Sequence, residues 1–391
     1  MKNLKKSYLL TGLLVIVVAL IYCGKSYWRE SQFSSTTTNQ LGLPKMQYPL
    51  DNPPTKEKIA LGRKLFMDRR LSHNNTMSCA MCHVPEQGFT VNEIATAVGI
   101  EGRSSRRNAP TLLNVGYLNV LFHDGREFSL ENQVLGPMLA FNEMGNPSIG
   151  QVIEKIRILD DYKGLFKAAF GADVSLDGIT KAIATYERSL VAGNSTFDQW
   201  KYSKDKKALN PIEMKGFNIF MNKGSCVSCH RINEKEAIFT DQLFHNTGIG
   251  WLRNNKIVNK IVEKNTFTVR LAPGVEVEVA QDQLDSATEK PQNDVGRFEI
   301  TEDPKDRWAY KTPTLRNIAL TAPYMHDGSL ATLEDVVDFY NKGGEDNPLK
   351  DTMLKPLGLS ETEKYALVAF LKALTSYNIK QLEIEARAAA S

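Results

Sequence analysis

An all-α fold made of two similar halves, with one short β-hairpin inserted in the second, is predicted by three observations. Apolar residues recur at 3–4 spacing through five stretches of the chain, the period of an amphipathic helix. Several short landmarks occur twice, in the same order. One run alone, "NTFTVRLAPGVEVEVAQ" at 265–281, alternates around Ala272-Pro273-Gly274, the period of a strand with the chemistry of a turn.

Taken in order, the chain opens on Lys2, Lys5 and Lys6 before an apolar run from Tyr8 to Tyr22. A positive start followed by such a run is the pattern of an export segment. The run is short for a spanning helix but reaches across with tilt and snorkelling ends. No A-x-A cleavage site follows, so residues 1–30 are expected to form an uncleaved membrane anchor. A cleaved signal or a lipoprotein at Cys23 is the alternative, although Tyr22 is bulky for a lipidation site. Residues 31–45, beginning with the polar "SQFSSTTTNQ", read as a linker. The body behind it divides into a first half over 46–205, a second over 206–378, and a tail over 379–391. With 391 residues, 42% hydrophobic and 24% charged, there is enough chain for two cores. A net charge of +3 without a basic block excludes nucleic acid as a partner.

The five helical stretches are "TKEKIALGRKLF", "SIGQVIEKIRILDDYKGLFKAAFG", "DGITKAIATYERSLV", "PIEMKGFNIFM" and "ETEKYALVAFLKAL". Asn210 with Pro211 marks one start, and Ser360-x-x-Glu363 is a capping box on another. "TLEDVVDFYNKGG" adds a helix capped by Thr332.

Four of the five cysteines fall into two copies of C-x-x-C-H: Cys79, Cys82, His83 and Cys226, Cys229, His230. This pair of thiols suits a redox dithiol, half a zinc site, or covalent attachment of haem. A histidine directly after the second thiol favours haem, because it can reach the iron from below. Zinc needs four ligands brought together, and here 143 residues separate Cys82 from Cys226. A dithiol has no use for a second copy. Two covalently bound haem c groups are the expectation, and their attachment requires export.

The clamps sit inside a larger duplication. "GRKLFMD" from Gly62 parallels "GFNIFMN" from Gly216, and "APTLLN" at 109–114 parallels "TPTLRN" at 312–317. His123-Asp124-Gly125 and His326-Asp327-Gly328 each begin 13 residues after the proline of that landmark. Leu130-Glu131 and Leu333-Glu334 begin seven residues after those histidines. Chemistry breaks this symmetry. Tyr340 lies fourteen residues after His326, and the matching position after His123 is Pro137, which has no ligating side chain. A helix tyrosine is ordinarily a core residue with its hydroxyl satisfied. If Tyr340 instead caps the second iron, the first stays open for peroxide or oxygen. Met325 and Met353 are the other candidates for that cap.

On these motifs, roughly 46–378 resembles the bacterial di-haem cytochrome c peroxidase and MauG superfamily. The resemblance rests on both clamps, "FHDGR-x6-Q-x9-EM", "PTLRN" and "PYMHDG". It implies a peroxide-reducing N-terminal haem and a C-terminal haem that receives electrons from a small c-type cytochrome or similar donor. It implies Gln133 and Glu143 as the polar pair above the active haem, and a calcium ion held by Asn108, Thr321 and Pro323. It also implies a periplasmic location, here tethered to the inner membrane. Many peroxidases of this family carry a releasable histidine ligand near the position of Ile100, and methionine at that of Tyr340. This chain has no histidine between His83 and His123, and in both respects it is similar to MauG. It departs from both branches in having His123 where they have a tryptophan electron relay; Tyr117, Phe122 and Trp251 are candidate substitutes. Three readings follow: a peroxidase, a MauG-like oxidase of tyrosine or tryptophan on a protein substrate, and an electron carrier with both irons six-coordinate.

Overall fold

A computed structural model describes residues 40–262, 266–272, 274–280 and 293–388. The expected anchor over 1–30, with Cys23, lies outside the described residues. Among those described, no helix is long and apolar enough to cross a membrane.

The structure is mostly helical, and its principal helices come in matched pairs. In the first half, α1 (Lys56–Met67) is capped by the Thr55 hydroxyl and α2 (Leu176–Ser189) by that of Ser175. They cross so closely that a Cβ on Gly62 would lie 1.9 Å from the Ala182 carbonyl oxygen. After α3 (Thr196–Tyr202), the second half repeats the pair with α4 (Pro211–Met221) and α6 (Glu361–Lys372), flanking α5 (Leu333–Asn341). There a Cβ on Gly216 would lie 1.9 Å from the Ala366 carbonyl oxygen. Phe66 meets Tyr186 edge-to-face with centroids 5.2 Å apart, and Phe220 meets Phe370 at the same 5.2 Å. Each such contact adds about 0.5–1.5 kcal/mol beyond simple burial. Asn210, Thr332 and Ser360 form reciprocal capping boxes with Glu213, Asp335 and Glu363, as their spacing predicts.

Three expectations are corrected. The stretch 148–171 is not one helix: Ile149–Arg157, a turn at Asp160–Tyr162 and Leu165–Phe170 replace it. Gly164 takes φ +76°, and the break buries both Tyr162 and Phe166. The boundary near 205 falls too late, because α3 already belongs to the second core. Phe197 on α3 is fully buried against Phe217, Phe239 and Phe370.

The termini are also not linker and tail throughout. Of the expected linker, the part from residue 40 is docked: the Gly42 carbonyl accepts from Ala237 N (3.0 Å) and from Arg316 Nη2 (2.6 Å). Of the expected tail, α7 (Ile379–Arg387) packs Ile379, Leu382 and Ala386 into the first core, and Arg387 pairs with Glu86. The described segment from residue 40 thus reaches the second half, and α7 covers part of the first. Apolar positions at helical spacing, hidden by the polar residues around them, explain why α7 read as tail.

The hairpin appears where the alternation puts it, as β2 (Thr266–Ala272) against β3 (Val275–Ala280), with a register shift between Arg270 and Ala272. A second small sheet was not expected: β1 (Phe244–His245) pairs antiparallel with β4 (Tyr310–Lys311). Lys311 N donates to the His123 carbonyl at 2.8 Å, so this sheet ties the second half to the first.

Candidate functional site

Each C-x-x-C-H forms a single helical turn whose histidine is aimed by a backbone carbonyl. Cys79–Cys82 is a four-residue helix, and His83 N donates to the Cys79 carbonyl at 2.9 Å. His83 Nδ1–H donates to the Phe89 carbonyl (3.2 Å), and His230 Nδ1–H donates to that of Phe239 (2.9 Å). Phe89 and Phe239 are both fully buried, and both take φ +56°, a strained value for a bulky residue that turns the carbonyl toward the ring. With Nδ1 occupied, Nε2 is left for a metal, the usual way a second partner sets the ligating tautomer. Burial holds His83 neutral, its pKa down to about 4, and depresses His230 in the same direction. All four thiols are unbridged. Burial pushes Cys82 and Cys226 up to about 12, so they rest as thiols. Paired free thiols beside a neutral, aimed imidazole fit a covalently attached haem in each half.

The loops that support the two histidines are built alike. Thr111 Oγ1 donates to the Gly88 carbonyl (2.6 Å), and Thr314 Oγ1 donates to that of Ile238 (2.7 Å). Thr90 caps Ala109, and Thr240 caps Thr312. Asn114 and Asn317 both sit in the left-handed region, at φ +65° and +61°. The duplication read in the sequence is thus also a duplication of hydrogen bonds.

Around the second clamp lies a cavity lined by Cys226, Cys229, His230 and Tyr340. Tyr340 is half-buried, and its hydroxyl is held above its ordinary pKa, first by burial and then by the two thiols. Met325 and Met353 line the same cavity, though Met353 is half exposed. The cavity reaches Asn108, Thr321, Pro323, His123 and His326. Asn108 Nδ2 donates to the Ala95 carbonyl at 2.9 Å, leaving its Oδ1 as a candidate ligand. Among the described residues the carbonyls of Thr321 and Pro323 accept no hydrogen bond.

Around the first clamp the polar groups are Glu143 and Gln133. Glu143 is mostly buried, which raises its carboxyl pKa against the opposing pull of Arg126. Its charge in turn helps raise Cys82. Ile100, at the position where many relatives place a releasable histidine, is 2% exposed and donates its N–H to the Glu143 carbonyl at 2.9 Å. Gln133 ends the short helix Leu130–Gln133 and is half-buried, and its amide has no partner among the described residues.

His123 is half-buried and neutral, desolvation taking its pKa down to about 4, and its Nε2–H donates to the Asn108 carbonyl at 2.9 Å. Of the candidate substitutes for a tryptophan, Tyr117 points away and bonds the Pro44 carbonyl, while Phe122 lies 3.5 Å beneath the Arg126 guanidinium. Trp251 is half-buried at the start of the helix Ile249–Val262. None of the three lines the cavity. Tyr310, which sequence reasoning missed, stacks on His326 with centroids 3.5 Å apart and 11° between planes. His245 is held between Asp351 (2.5 Å) and Asp241 (3.0 Å) beside Cys229. A second missed residue is Glu187 on α2, a buried carboxylate whose field reaches Cys79. Aligning the two halves by their glycine crossings would have exposed it.

Comparison with known proteins agrees with this geometry. The sequence profile of the di-haem cytochrome c peroxidase family matches residues 56–207. The methylamine utilization protein MauG of Methylorubrum extorquens is 35% identical over 331 residues, which is 84% of this chain and 80% of that protein. A cytochrome-c peroxidase of Denitromonas iodatirespirans is 35% identical over 342 residues, 85% of each chain. The crystal structure of a MauG-like protein associated with microbial copper homeostasis matches with a TM-score of 0.69 at 30% identity, covering 88% of this chain and 97% of that one. Two aimed histidines, two pairs of unbridged thiols and these likenesses over most of its length make the chain a member of the di-haem cytochrome c peroxidase family.

Proposed function

We propose that the protein reduces hydrogen peroxide to water at the first clamp, with electrons from a small c-type cytochrome or similar donor entering through the second. In this reading the halves are two cytochrome c-like haem domains in tandem. The balance is one peroxide, two electrons and two protons to two waters. Haem c, when bound, supplies the iron that binds peroxide and exchanges electrons. His83 would hold it through Nε2, since its Nδ1 is engaged by the Phe89 carbonyl. The observation that carries the reading is Glu143, a carboxylate with raised pKa whose field reaches Cys82, with Ile100 and Pro137 in place of ligating side chains. Glu143 takes the proton from the inner oxygen of peroxide and returns it to the outer one, the exchange needed before that oxygen leaves as water. The Gln133 amide orients the peroxide without competing for the proton. Asn108 Oδ1 and the carbonyls of Thr321 and Pro323 hold a calcium ion beside the second site.

The reading also assigns the chain to the periplasmic side of the inner membrane, tethered by residues 1–30. Its support is the lysine-led apolar segment and the need to attach haem outside the cytoplasm. The test is turnover: the purified protein, carrying two haems by pyridine haemochrome, should oxidise a reduced c-type cytochrome on addition of peroxide. A protein holding two haems that consumes no peroxide overturns it and leaves the electron-carrier reading.

Tyr340 favours a second reading, a MauG-like oxidase that withdraws electrons from tyrosine or tryptophan of a protein substrate. A phenolate is a hard anionic donor that stabilises ferric over ferrous iron, whereas a thioether does the opposite. Tyr340→Met should therefore make the second centre easier to reduce, seen as a raised midpoint in a spectroelectrochemical titration. Tyr340→Phe should change the low-spin ferric spectrum. If that spectrum is untouched, Tyr340 is a core residue and Met325 or Met353 is the ligand.

A further inference from the structure

The two halves differ at one buried position that the mechanism above does not use. The glycine crossings set their alignment: Gly62 against Ala182 in the first half matches Gly216 against Ala366 in the second. Four residues on, Tyr186 matches Phe370, and each packs edge-to-face on the equivalent phenylalanine of the partner helix. The next residue is Glu187 in the first half and Leu371 in the second. Leu371 lines the cavity around the second clamp. Glu187 therefore faces the first clamp from the same place on its helix, with a carboxylate where the second half has a methyl-terminated side chain.

That carboxylate is 4% exposed, and its Oε2 has no hydrogen-bond partner. An unpaired buried carboxylate costs several kcal/mol unless it carries a proton. Of the charged groups that face it, Arg188 alone opposes the burial. Arg188, next in sequence, is engaged by both oxygens of Glu131 at 2.6 and 2.8 Å. Glu131 itself adds negative potential. From α1, Arg63 faces Tyr186 and bonds the Glu385 carbonyl on α7 (2.7 Å). From the first clamp the facing group is the Cys79 thiol, which haem attachment would convert to an uncharged thioether. Burial consequently pushes the Glu187 carboxyl up to about 8.

We propose that Glu187 is a redox-linked proton site of the first centre, binding one proton from solvent when that centre gains an electron from the cytochrome-class donor and releasing it when the electron leaves. The physical basis is charge compensation. An added electron in a poorly solvated pocket raises the proton affinity of the nearest unpaired carboxylate, and a proton bound there makes the electron easier to add. Leu371 denies the second centre this compensation, so the first centre alone would have its electron affinity tied to pH. The inference rests on the first clamp being a haem centre. Failure of that premise would show separately, as fewer than two haems per chain.

The test is a spectroelectrochemical titration of the full holoprotein between pH 6 and 10, following the first haem. In the wild type its midpoint should fall as pH rises, with proton uptake approaching one per electron. Glu187→Gln, and Glu187→Leu, which installs the residue of the equivalent position, should lose most of that pH dependence while the second haem is unchanged. Redox-difference infrared spectra of the wild type should show a protonated-carboxyl band appearing on reduction. A wild-type spectrum without that band, or variants that keep the full pH dependence, overturns the proposal.

Discussion

Glu143→Gln should lower peroxide turnover by about 10²–10⁴-fold, the usual scale for a lost proton-transfer group, while haem content and the ferric spectrum stay as they are. The expectation rests on how little the substitution disturbs. The Glu143 backbone is locked in a tight turn: its N–H donates to the Ala140 carbonyl at 3.0 Å, and its carbonyl accepts from Ile100. Gly145 takes φ +62° there, with the Ile100 side chain packed where a Cβ would go. Since no side-chain hydrogen bond holds the carboxylate among the described residues, glutamine keeps the shape and loses only the proton exchange. The pH profile carries a second signature. The carboxylate must be ionised to accept a proton, and burial raises its pKa. Activity of the wild type should therefore rise with pH through a value above the ordinary carboxylate range near about 4.3, and the variant should lack that limb. Full activity in Glu143→Gln would remove Glu143 from the mechanism.

Asp198→Ala should destabilise the protein by about 3–5 kcal/mol, the cost of leaving a buried charge without its partner. Asp198 and Arg316 are 0% and 1% exposed and pair through two hydrogen bonds of 2.9 Å each. The network extends well beyond the pair. Arg316 also donates to the carbonyls of Ala237 (2.6 Å) and Gly42 (2.6 Å), and Asp198 closes the capping box on Ser195. Removing the carboxylate strands the guanidinium and loosens the start of α3 together with the docked segment at Gly42. The measurement is denaturant unfolding of the holoprotein, with Arg316→Leu as a companion. That second variant copies Leu113, which occupies the matching position in "APTLLN", but it leaves Asp198 buried and unpaired, so it should be destabilising as well. A loss under about 1 kcal/mol for Asp198→Ala would mean that solvent reaches the network.

Local order was legible wherever a residue's chemistry acts on its own neighbours. C-x-x-C-H folds as one helical turn because the His83 N–H closes on Cys79 four residues back. Asn210, Thr332 and Ser360 start helices because their side chains satisfy amides two or three residues on. The hairpin follows from alternation around a proline-glycine turn, and the duplication from repeated spacing. What the sequence could not determine depends on residues far apart in the chain meeting in space. Whether α7 is a tail or a wall of the first core depends on apolar residues spread from Ile59 to Ala192, and whether 40–45 is a linker depends on Arg316. The same limit applies to the sites. Glu143 could be marked from a motif, but its raised pKa comes from burial, which only the packed fold supplies. The Tyr310–His326 stack and the unpaired Glu187 are invisible in the chain order, because stacking and desolvation arise only when packing removes water from both partners.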